Sequence, residues 1–376
     1  VPYVERAGRQ AIGRVPSDVE RETCPRRARQ RMEYTTPQFF HLTEYANQAE
    51  GDVIDMVSGD PDWEPPEALR EGMREYADSH VDDLQYAPSD GLPELREEIA
   101  ARRNVDPGQV IVTNGAGEAN YLAMARALER DVGDEVIMAD PVYTYYPGKT
   151  QMLGGTERFV PVGPDDVLHP DDVREAASED TACIVVNTPK NPTGGVLDAD
   201  AMEGLVRVAE DYDAILVSDE TYDHFDYSGT FSSALSVDSD HRIVSSSFSK
   251  SMAVTGIRVG YAVIPEDLID LAHSRHMLTN VATNRQGQYA VLKALRETEP
   301  GYYEASRQLL RERIDEFTDA LDRAGAEYTD PDGAFYVMAK FEDFPGTMEY
   351  SKKLIDETGV AGMPGEAFGD ARADWH

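Results

Sequence analysis

The chain of 376 residues carries 71 acidic and 35 basic side chains, a formal net charge of −36. This charge excludes a general binder of nucleic acids or anionic membranes, because phosphate-rich surfaces would repel it. Its two cysteines, Cys24 and Cys183, provide neither a disulfide framework nor a CxxC metal site, and no apolar run suits a membrane span or a signal peptide.

We therefore predict a soluble, cytoplasmic protein without a bound metal, and the acidic excess indicates a cytoplasm rich in salt. Unscreened carboxylates repel one another in dilute buffer, whereas concentrated salt shortens the range of that repulsion. An ordinary acidic protein is the alternative, but the size of the imbalance favours a halophile.

Residues 1–31 differ from the rest of the chain in charge and patterning. They hold eight arginines and four acidic residues with little apolar periodicity, which predicts a disordered basic extension. A basic targeting arm is one interpretation. The other, which we favour, is a stretch that precedes a true start at Met32.

Short elements precede the first predicted buried strand. Apolar spacing predicts a helix over 37–46, and 53–57 resembles a strand that leads into the turn Ser58-Gly-Asp-Pro-Asp-Trp63. Tyr86 then precedes a helix predicted to begin near Pro93. From the residues alone, the turn is a common one and Tyr86 is a packed tyrosine.

A glycine-rich turn follows, between a strand predicted at Gln109–Thr113 and a helix predicted at Glu118–Leu128. The turn reads Asn114-Gly-Ala-Gly117. Free backbone N–H groups at a helix N-terminus suit a phosphate, and the helix dipole adds to the attraction.

Three further predicted strands end in aromatic or polar motifs. Glu135–Asp140 leads to Tyr143, Tyr145 and Tyr146, Ala182–Asn187 leads to Thr188-Pro-Lys-Asn-Pro-Thr-Gly-Gly195, and Ala214–Ser218 leads to Asp219 and Tyr222. Open α/β sheets keep their sites at the carboxyl ends of strands, although an Asp at such an end also forms turns. Composition alone does not choose which of the three tyrosines would stack on a ring.

The stretch Ser245–Gly260 places a lysine among small, hydroxylic and apolar residues. Lys250 has no charged residue within five positions, and an amine in such surroundings can lose its proton and attack a carbonyl. Ser247 and Arg258 are suited to binding a phosphate. A surface lysine beside a Ser-rich turn is the alternative, but the combination favours a Schiff-base lysine.

The remaining predicted elements complete an α/β pattern. Helices are predicted near Pro265–Thr279, at Arg285–Glu297 and at Tyr302–Arg323. Strands that alternate with helices predict a layered architecture, a mostly parallel sheet flanked by helices.

In their order, these motifs resemble the fold-type I aminotransferases of class I/II, which use pyridoxal 5′-phosphate (PLP). Ser247–Lys250 and Thr255–Tyr261 match S-x-x-K and T-G-x-R-x-G-Y, with Ile257 where the family usually has an aromatic residue. The N-P-T-G tetrapeptide and the segment Pro364–Gly369, similar to P-G-x-x-F-G, extend the resemblance. The segment Pro331–Met338 resembles the family's P-x-G-A-F-Y strand, so a strand is expected there. It runs from about Met32 to the last residue.

The resemblance implies a role for each motif residue. Lys250 is the implied catalytic residue, which binds PLP as a Schiff base and moves a proton between the substrate Cα and the cofactor. The other implied cofactor-binding residues are Tyr86 (phosphate of the neighbouring subunit), Ala116 and Gly117 (phosphate amides), Tyr143 (ring stacking), Asn191 and Tyr222 (O3′), Asp219 (pyridine nitrogen), and Ser247 and Arg258 (phosphate). Gly59 and Asn191 are implied to contact the substrate.

The resemblance further implies a homodimer with shared active sites and the PLP-dependent transferase fold. Its implied parts are a large PLP-binding domain (49–298) and a smaller α/β domain built from both chain ends (32–48 and 299–376). In the family, an arginine a few residues beyond the P-G-x-x-F-G loop binds the substrate carboxylate. Here only Arg372 follows, too close to the loop, so we expect the C-terminus to be truncated.

Three functions are considered for such a chain. We predict an aminotransferase that moves an amino group between an amino acid and a 2-oxo acid by a ping-pong mechanism. A PLP-dependent lyase, acting by β-elimination or decarboxylation, is the alternative. A transcription regulator would need an N-terminal DNA-binding domain, for which 31 residues are too few. The substrate stays open: some aspartate-specific relatives have a lysine where this chain has Gly117, which weakens an aspartate assignment.

Overall fold

The structure, a computed structural model, describes residues 37–49 and 51–376. The α-helices are α1 (Gln38–Gln48), α2 (Glu67–Ala77), α3 (Pro93–Arg103), α4 (Ala116–Leu128), α5 (Tyr145–Leu153), α6 (Pro170–Ala176), α7 (Ala199–Asp211), α8 (Glu266–Asn280), α9 (Arg285–Glu297), α10 (Pro300–Ala324) and α11 (Met348–Thr358). The strands are β1 (Ile54–Asp55), β2 (Val110–Thr113), β3 (Glu135–Asp140), β4 (Thr156–Pro161), β5 (Thr181–Asn187), β6 (Ile215–Asp219), β7 (Arg242–Ser247), β8 (Gly260–Val263), β9 (Glu327–Tyr328), β10 (Ala339–Lys340) and β11 (Val360–Ala361).

The central sheet has the strand order β2-β8-β7-β6-β5-β3-β4. β4, β3, β5, β6 and β7 run parallel, whereas β8 runs antiparallel to both β7 and β2. The predicted architecture, a mostly parallel sheet between helices, is therefore confirmed. The C-terminal ends of the parallel strands lie on the same side of this sheet, which is where such folds have their ligand-binding sites.

The sheet is buried on both faces, which explains the continuous apolar runs of its strands. Along β3, Ile137 packs into one core cluster while Val136 and Met138 pack into the other. This alternation follows from the two-residue period of a strand. Each such side chain, when fully buried, contributes roughly 1.5–3 kcal/mol to folding.

Helix α4 lies close to one face of the sheet because its contact stripe is made of alanine. Ala119, Ala123 and Ala127 recur every four residues and are fully buried, so they share one face of the helix. The helix begins at Ala116, two residues earlier than predicted. Ala116 and Gly117 therefore belong to its first turn, near the C-terminal ends of the parallel strands.

The two ends of the described chain come together beside the sheet. β1 pairs in parallel with β11, and Leu42, Val57 and Ile355 share a small apolar cluster. The described residues belong to one compact unit, and the division at residues 49 and 298 stays a prediction. The basic extension predicted for 1–31 lies outside the described residues.

The strand predicted at Pro331–Met338 is wrong. Its backbone hydrogen bonds go to loops instead of a neighbouring strand: the Gly333 N–H donates to the Gly194 carbonyl at 2.9 Å, and the Ala334 N–H donates to the Phe225 carbonyl at 2.8 Å. Apart from an isolated antiparallel bridge between Gly333 and Asp226, strand pairing starts at β10, which is antiparallel to β9. Within the described ranges, no helix is long and apolar enough to cross a membrane.

Candidate active site

A cavity of about 1190 Å³ lies at the C-terminal ends of the parallel strands of the central sheet. The last residues of β5, β6 and β7, which are Asn187, Asp219 and Ser247, lie in its wall. The predicted site residues that line it are Gly59, Ala116, Gly117, Tyr143, Asn191, Asp219, Tyr222, Ser247, Lys250 and Arg258. The structure thus brings together every predicted site residue except Tyr86.

Lys250 presents its amine inside this cavity. Its Nζ donates a hydrogen bond to the Gly59 carbonyl and lies 5.9 Å from the centre of the Phe335 ring. Burial lowers the pKa of Lys250 to about 8, although the charge of Asp60 opposes this change. At such a pKa, about one amine in ten is neutral at pH 7. The amine can therefore act as a nucleophile and as a base near neutral pH.

Asp219 is the last residue of β6 and is only 5% exposed. Its Oδ2 accepts hydrogen bonds from the Asn120 side-chain amide at 2.6 Å and from the Tyr146 hydroxyl at 2.7 Å. Its Oδ1 accepts from the Thr221 hydroxyl at 2.7 Å and from the Thr221 N–H at 3.1 Å. These donors hold a buried carboxylate in one orientation, as a partner for a protonated ring nitrogen requires.

Asn120 and Tyr146 are site residues that the sequence did not identify. Asn120 follows Ala116 by four positions on α4 and so shares its face, which is the one sequence signal that points to it. Tyr146 belongs to the aromatic motif in which composition leaves the stacking residue open. Its hydroxyl is bound to Asp219, whereas the Tyr143 ring packs 4.8 Å from the Tyr145 ring and edge-on to that of Tyr146.

The first turn of α4 forms one end of the cavity, and its geometry suits a phosphate. The helix starts after Gly115 without a side-chain cap, so the N–H groups of its first turn have no capping side chain. A Cβ built on Gly117 meets nothing within 4 Å, which leaves open space beside these amides. The Arg258 guanidinium donates to the Thr255 carbonyl at 2.8 Å and to the Asn114 carbonyl at 3.2 Å. Amides, a helix dipole and an arginine together attract an anion.

The Asn187 side chain connects the N-P-T-G loop to β6 by hydrogen bonds. It is a further site residue that the sequence motifs did not identify. Its Oδ1 accepts from the Asn191 N–H at 2.7 Å, and its Nδ2 donates to the Asp219 carbonyl at 3.0 Å. Burial raises the pKa of Tyr222 well above its usual range, and a hydrogen bond from the Asn191 side chain acts in the opposite direction. Tyr222 is therefore a neutral phenol next to Asn191.

Of three further residues, Tyr86 and Arg372 lie outside the cavity, and Arg313 lines it. Tyr86 is 82% exposed and outside the cavity of its own chain, so its role toward a neighbouring subunit stays a prediction. Arg372 is also outside the cavity, where it pairs with Asp166. Arg313 does line the cavity, and its guanidinium pairs with Asp62 at 2.6 Å.

The chemistry of these groups fits PLP. An amine with a lowered pKa, an oriented carboxylate and an anion cradle occupy one cavity. These are the partners required by an aldehyde, a pyridine nitrogen and a phosphate ester. The neighbouring aromatic wall at Tyr143 suits a planar ring.

Comparisons with known proteins agree with this geometry. Residues 51–374 match the family model described as aminotransferase class I and II. The aspartate/prephenate aminotransferase of Thermus thermophilus is 33% identical over 338 residues, which cover 86% of this chain and 86% of that protein. The aspartate aminotransferase of Thermotoga maritima is 34% identical over 327 residues, 84% of each chain. The solved structure of Thermus thermophilus aspartate aminotransferase with maleate has a TM-score of 0.83 and 32% identity, and covers 91% of both chains.

Proposed function

Because the chain belongs to the class I and II aminotransferases, we propose that Lys250 is the amine that carries out transamination in this cavity. The predicted PLP-dependent aminotransferase and its transferase fold are confirmed by the family match and by the likeness to solved aminotransferases. The residue roles, the assembly and the substrate go further and are proposals.

The chain's own residues divide the work between binding and proton transfer. When bound, PLP supplies an aldehyde for amines and a ring that takes up negative charge from the substrate Cα. Lys250 Nζ is the base that removes the Cα proton and later returns a proton. Asp219 accepts the hydrogen of the pyridine nitrogen and keeps that nitrogen charged.

The other residues orient the reactants. The Ala116 and Gly117 amides, with Ser247 and Arg258, would hold the phosphate of bound PLP. The Tyr143 ring would stack on the pyridine face, and Asn191 and Tyr222 would donate to the O3′ oxygen. The backbone N–H of Gly59 contacts the substrate carboxylate. Orientation of this kind contributes to rate because the Cα–H bond is held toward the amine.

The observation that carries the proposal is the Lys250 amine itself, whose pKa burial lowers to about 8 within the cavity that Asp219 lines. The test is release of 2-oxo acid from an amino donor with and without a 2-oxo acid acceptor. An aminotransferase releases one equivalent per site without acceptor and many equivalents with it. Many equivalents without acceptor would favour a lyase that acts by β-elimination, whereas a decarboxylase would release CO2 and an amine and no 2-oxo acid. Lys250→Ala should release none in either assay.

We infer the assembly from the surface around Tyr86. Tyr86, Val81 and Leu84 are 82%, 58% and 53% exposed, three large side chains that a monomer would leave in water, on a segment that also carries two aspartates and a glutamine. We propose that a second copy of the chain covers this segment, and that Tyr86 completes the phosphate cradle of that copy. The protein is then a homodimer with shared active sites.

Complementation tests this assembly. Tyr86→Ala and Lys250→Ala chains are each expected to be impaired as homodimers. In a mixed dimer, the Tyr86→Ala subunit keeps its lysine and receives Tyr86 from its partner, so one site is complete. Activity regained on mixing supports shared sites. Mixed dimers that stay as impaired as the parents would contradict them.

The relatives are named for aspartate, but the cavity favours donors with an uncharged side chain. A dicarboxylic donor needs a second cation beside the one that binds its α-carboxylate. Arg313 already pairs with Asp62, and Lys149 lies over the rings of Tyr145 and Tyr146. We therefore propose that neutral amino acids are used more efficiently than aspartate. A panel of amino donors, followed by the absorbance change of the bound cofactor, measures this order directly.

A further inference from the structure

We propose that Tyr336 is a positioning residue for the reaction, whose hydroxyl holds the Tyr222 hydroxyl in place beside the Lys250 amine. This inference rests on the proposed roles of Tyr222 and Lys250, and it adds a residue to which neither the motifs nor the family resemblance gave a role.

The backbone around Tyr336 is fixed from outside the cavity. The Ala334 N–H donates to the Phe225 carbonyl at 2.8 Å, and the Ala334 carbonyl accepts from the Tyr227 hydroxyl at 2.6 Å. Ala334 is fully buried. The Phe335 and Tyr336 side chains that follow it line the cavity. An anchored segment of this kind presents its side chains in one arrangement.

The Tyr336 hydroxyl contacts the Tyr222 hydroxyl and lies against Gly59. It is 2.7 Å from the Tyr222 hydroxyl, and the two rings are 5.5 Å apart and nearly perpendicular. A Cβ built on Gly59 would overlap the Tyr336 hydroxyl and would lie 3.4 Å from Lys250 Nζ. Glycine at position 59 therefore leaves the room that this hydroxyl occupies. Since Lys250 Nζ donates to the Gly59 carbonyl, the phenol and the amine both lie next to the predicted carboxylate-binding turn.

Both phenols are protonated, which allows them to form consecutive hydrogen bonds, from Tyr336 to Tyr222 and from Tyr222 to the cofactor. Burial raises the pKa of Tyr336 well above its usual range, and its hydrogen bond with Tyr222 acts in the opposite direction. Both phenols stay neutral near pH 7, so each can accept one hydrogen bond and donate another. A hydroxyl whose oxygen accepts a hydrogen bond is a stronger donor itself. Either hydroxyl can donate in the bond between the two phenols, but a Tyr222 that uses its own hydrogen toward O3′ leaves Tyr336 as the donor. In that arrangement, Tyr336 strengthens the donation of Tyr222 to the O3′ oxygen.

The hydrogen bond between Tyr336 and Tyr222 has a measurable consequence in the PLP-loaded enzyme. A strong hydrogen bond stabilises negative charge on O3′, which makes the nitrogen contributed by Lys250 lose its proton more easily. Removal of the Tyr336 hydroxyl should therefore raise the pH midpoint of the visible absorbance change, by about half a unit or about threefold in the proton equilibrium.

The experiment compares four variants with the wild-type protein: Tyr336→Phe, Tyr222→Phe, the double variant, and Tyr302→Phe as a matched control. The Tyr302 variant also loses a hydroxyl that donates a hydrogen bond, at 3.0 Å to the Glu64 carbonyl, but Tyr302 neither lines the cavity nor anchors the segment that carries Tyr336. Each protein is loaded with PLP and titrated from pH 5 to pH 10 by absorbance, and its melting temperature is measured.

Tyr336→Phe should raise the midpoint, Tyr222→Phe should raise it further, and the double variant should match Tyr222→Phe because Tyr336 acts through Tyr222. The control should keep the wild-type midpoint even if its melting temperature falls. A Tyr336→Phe midpoint equal to that of wild type, or shifts that add in the double variant, would overturn the inference. If wild-type protein shows no titrating visible band, the proposed role of Lys250 fails instead.

Discussion

The Asn120 side-chain amide donates a 2.6 Å hydrogen bond to the Asp219 carboxylate, across 99 positions of sequence. Asn120 lies one helical turn after Ala116 on α4, and Asp219 ends β6. This bond connects the anion cradle at the start of α4 to the carboxylate at the end of a central strand. The two ends of the cofactor site are thus held at a fixed spacing by one side chain.

Asn120→Ala should weaken PLP binding more than it weakens folding. The substitution removes one donor from a buried carboxylate, which costs on the order of 1–3 kcal/mol. Expressed as affinity, this is roughly a tenfold to hundredfold rise in the dissociation constant for PLP. Fluorescence titration of the apoenzyme measures it. Asn280→Ala is the control, because Asn280 also donates to a buried carboxylate, Glu118, but lies outside the cavity. An equal loss of PLP affinity in both variants would contradict the prediction.

Lys250 should be the lysine that borohydride reduction attaches to PLP, in preference to Lys149. Both amines line the cavity, and burial lowers the pKa of each to about 8, so a low pKa alone does not separate them. Lys149 lies over two tyrosine rings, on the side of Asp219, whereas Lys250 faces Gly59. Peptide mapping after reduction should recover the pyridoxyl group on Lys250. Lys149→Met should retain the visible band and Lys250→Met should lose it; the reverse pattern would reassign the catalytic amine.

The sequence predicted the residues that belong to motifs but not the residues that support them. Lys250 and Asp219 could be placed because their local surroundings and strand ends carry the signal. Asn120 and Tyr336 make contacts across 99 and 114 positions. The spacing of Asn120 from Ala116 places it on the same helix face, but no local pattern shows that either side chain meets a functional residue. The strand that the resemblance implies at Pro331–Met338 failed for a related reason: its backbone hydrogen bonds go to loops that are distant in the sequence.

Lys190→Met should stabilise the protein at pH 7 and have little effect near pH 10. Lys190 is buried, and its Nζ has no hydrogen-bond partner among the described residues. Burial lowers its pKa from 10.5 to about 7. The unfolded chain therefore binds more protons than the folded chain between these values, and stability rises with pH across that window. Removing the amine removes a penalty that is largest at and below pH 7, on the order of 4 kcal/mol.

Urea unfolding of the apoenzyme at pH 7 and pH 10 measures this effect. Lys293→Met is the control, because the hydrogen bonds that Lys293 donates to the Glu297 and Glu75 carboxylates raise the pKa of Lys293. A raised lysine pKa contributes stability below its unfolded value, so the control should gain none at pH 7. A Lys190→Met variant no more stable than wild type at pH 7 would contradict the prediction.

The melting temperature should rise strongly between dilute buffer and molar KCl. A net charge of −36 makes the folded surface repel itself, and the screening length falls from about 10 Å at 0.1 M to about 3 Å at 1 M salt. Sucrose at equal osmolality is the control, because it does not screen charge. Equal melting temperatures in low and high KCl would remove the support for a halophilic origin, which stays a prediction together with the cytoplasmic location.

Gly117→Lys should raise the use of aspartate relative to a neutral amino donor. Gly117 lines the cavity in the first turn of α4, and a Cβ there meets nothing within 4 Å, so a side chain can be added without displacing a neighbour. Its backbone N–H remains for the phosphate. A new ammonium group can pair with a distal carboxylate in a partly desolvated site, and a hydrogen bond to a charged group is worth about 1.5–3 kcal/mol. We therefore expect about a tenfold gain in the ratio of kcat/KM for aspartate to that for a neutral donor. Gly117→Met adds similar bulk without charge and should not raise this ratio. A ratio unchanged by lysine, or raised equally by methionine, would show that charge at position 117 does not select the substrate.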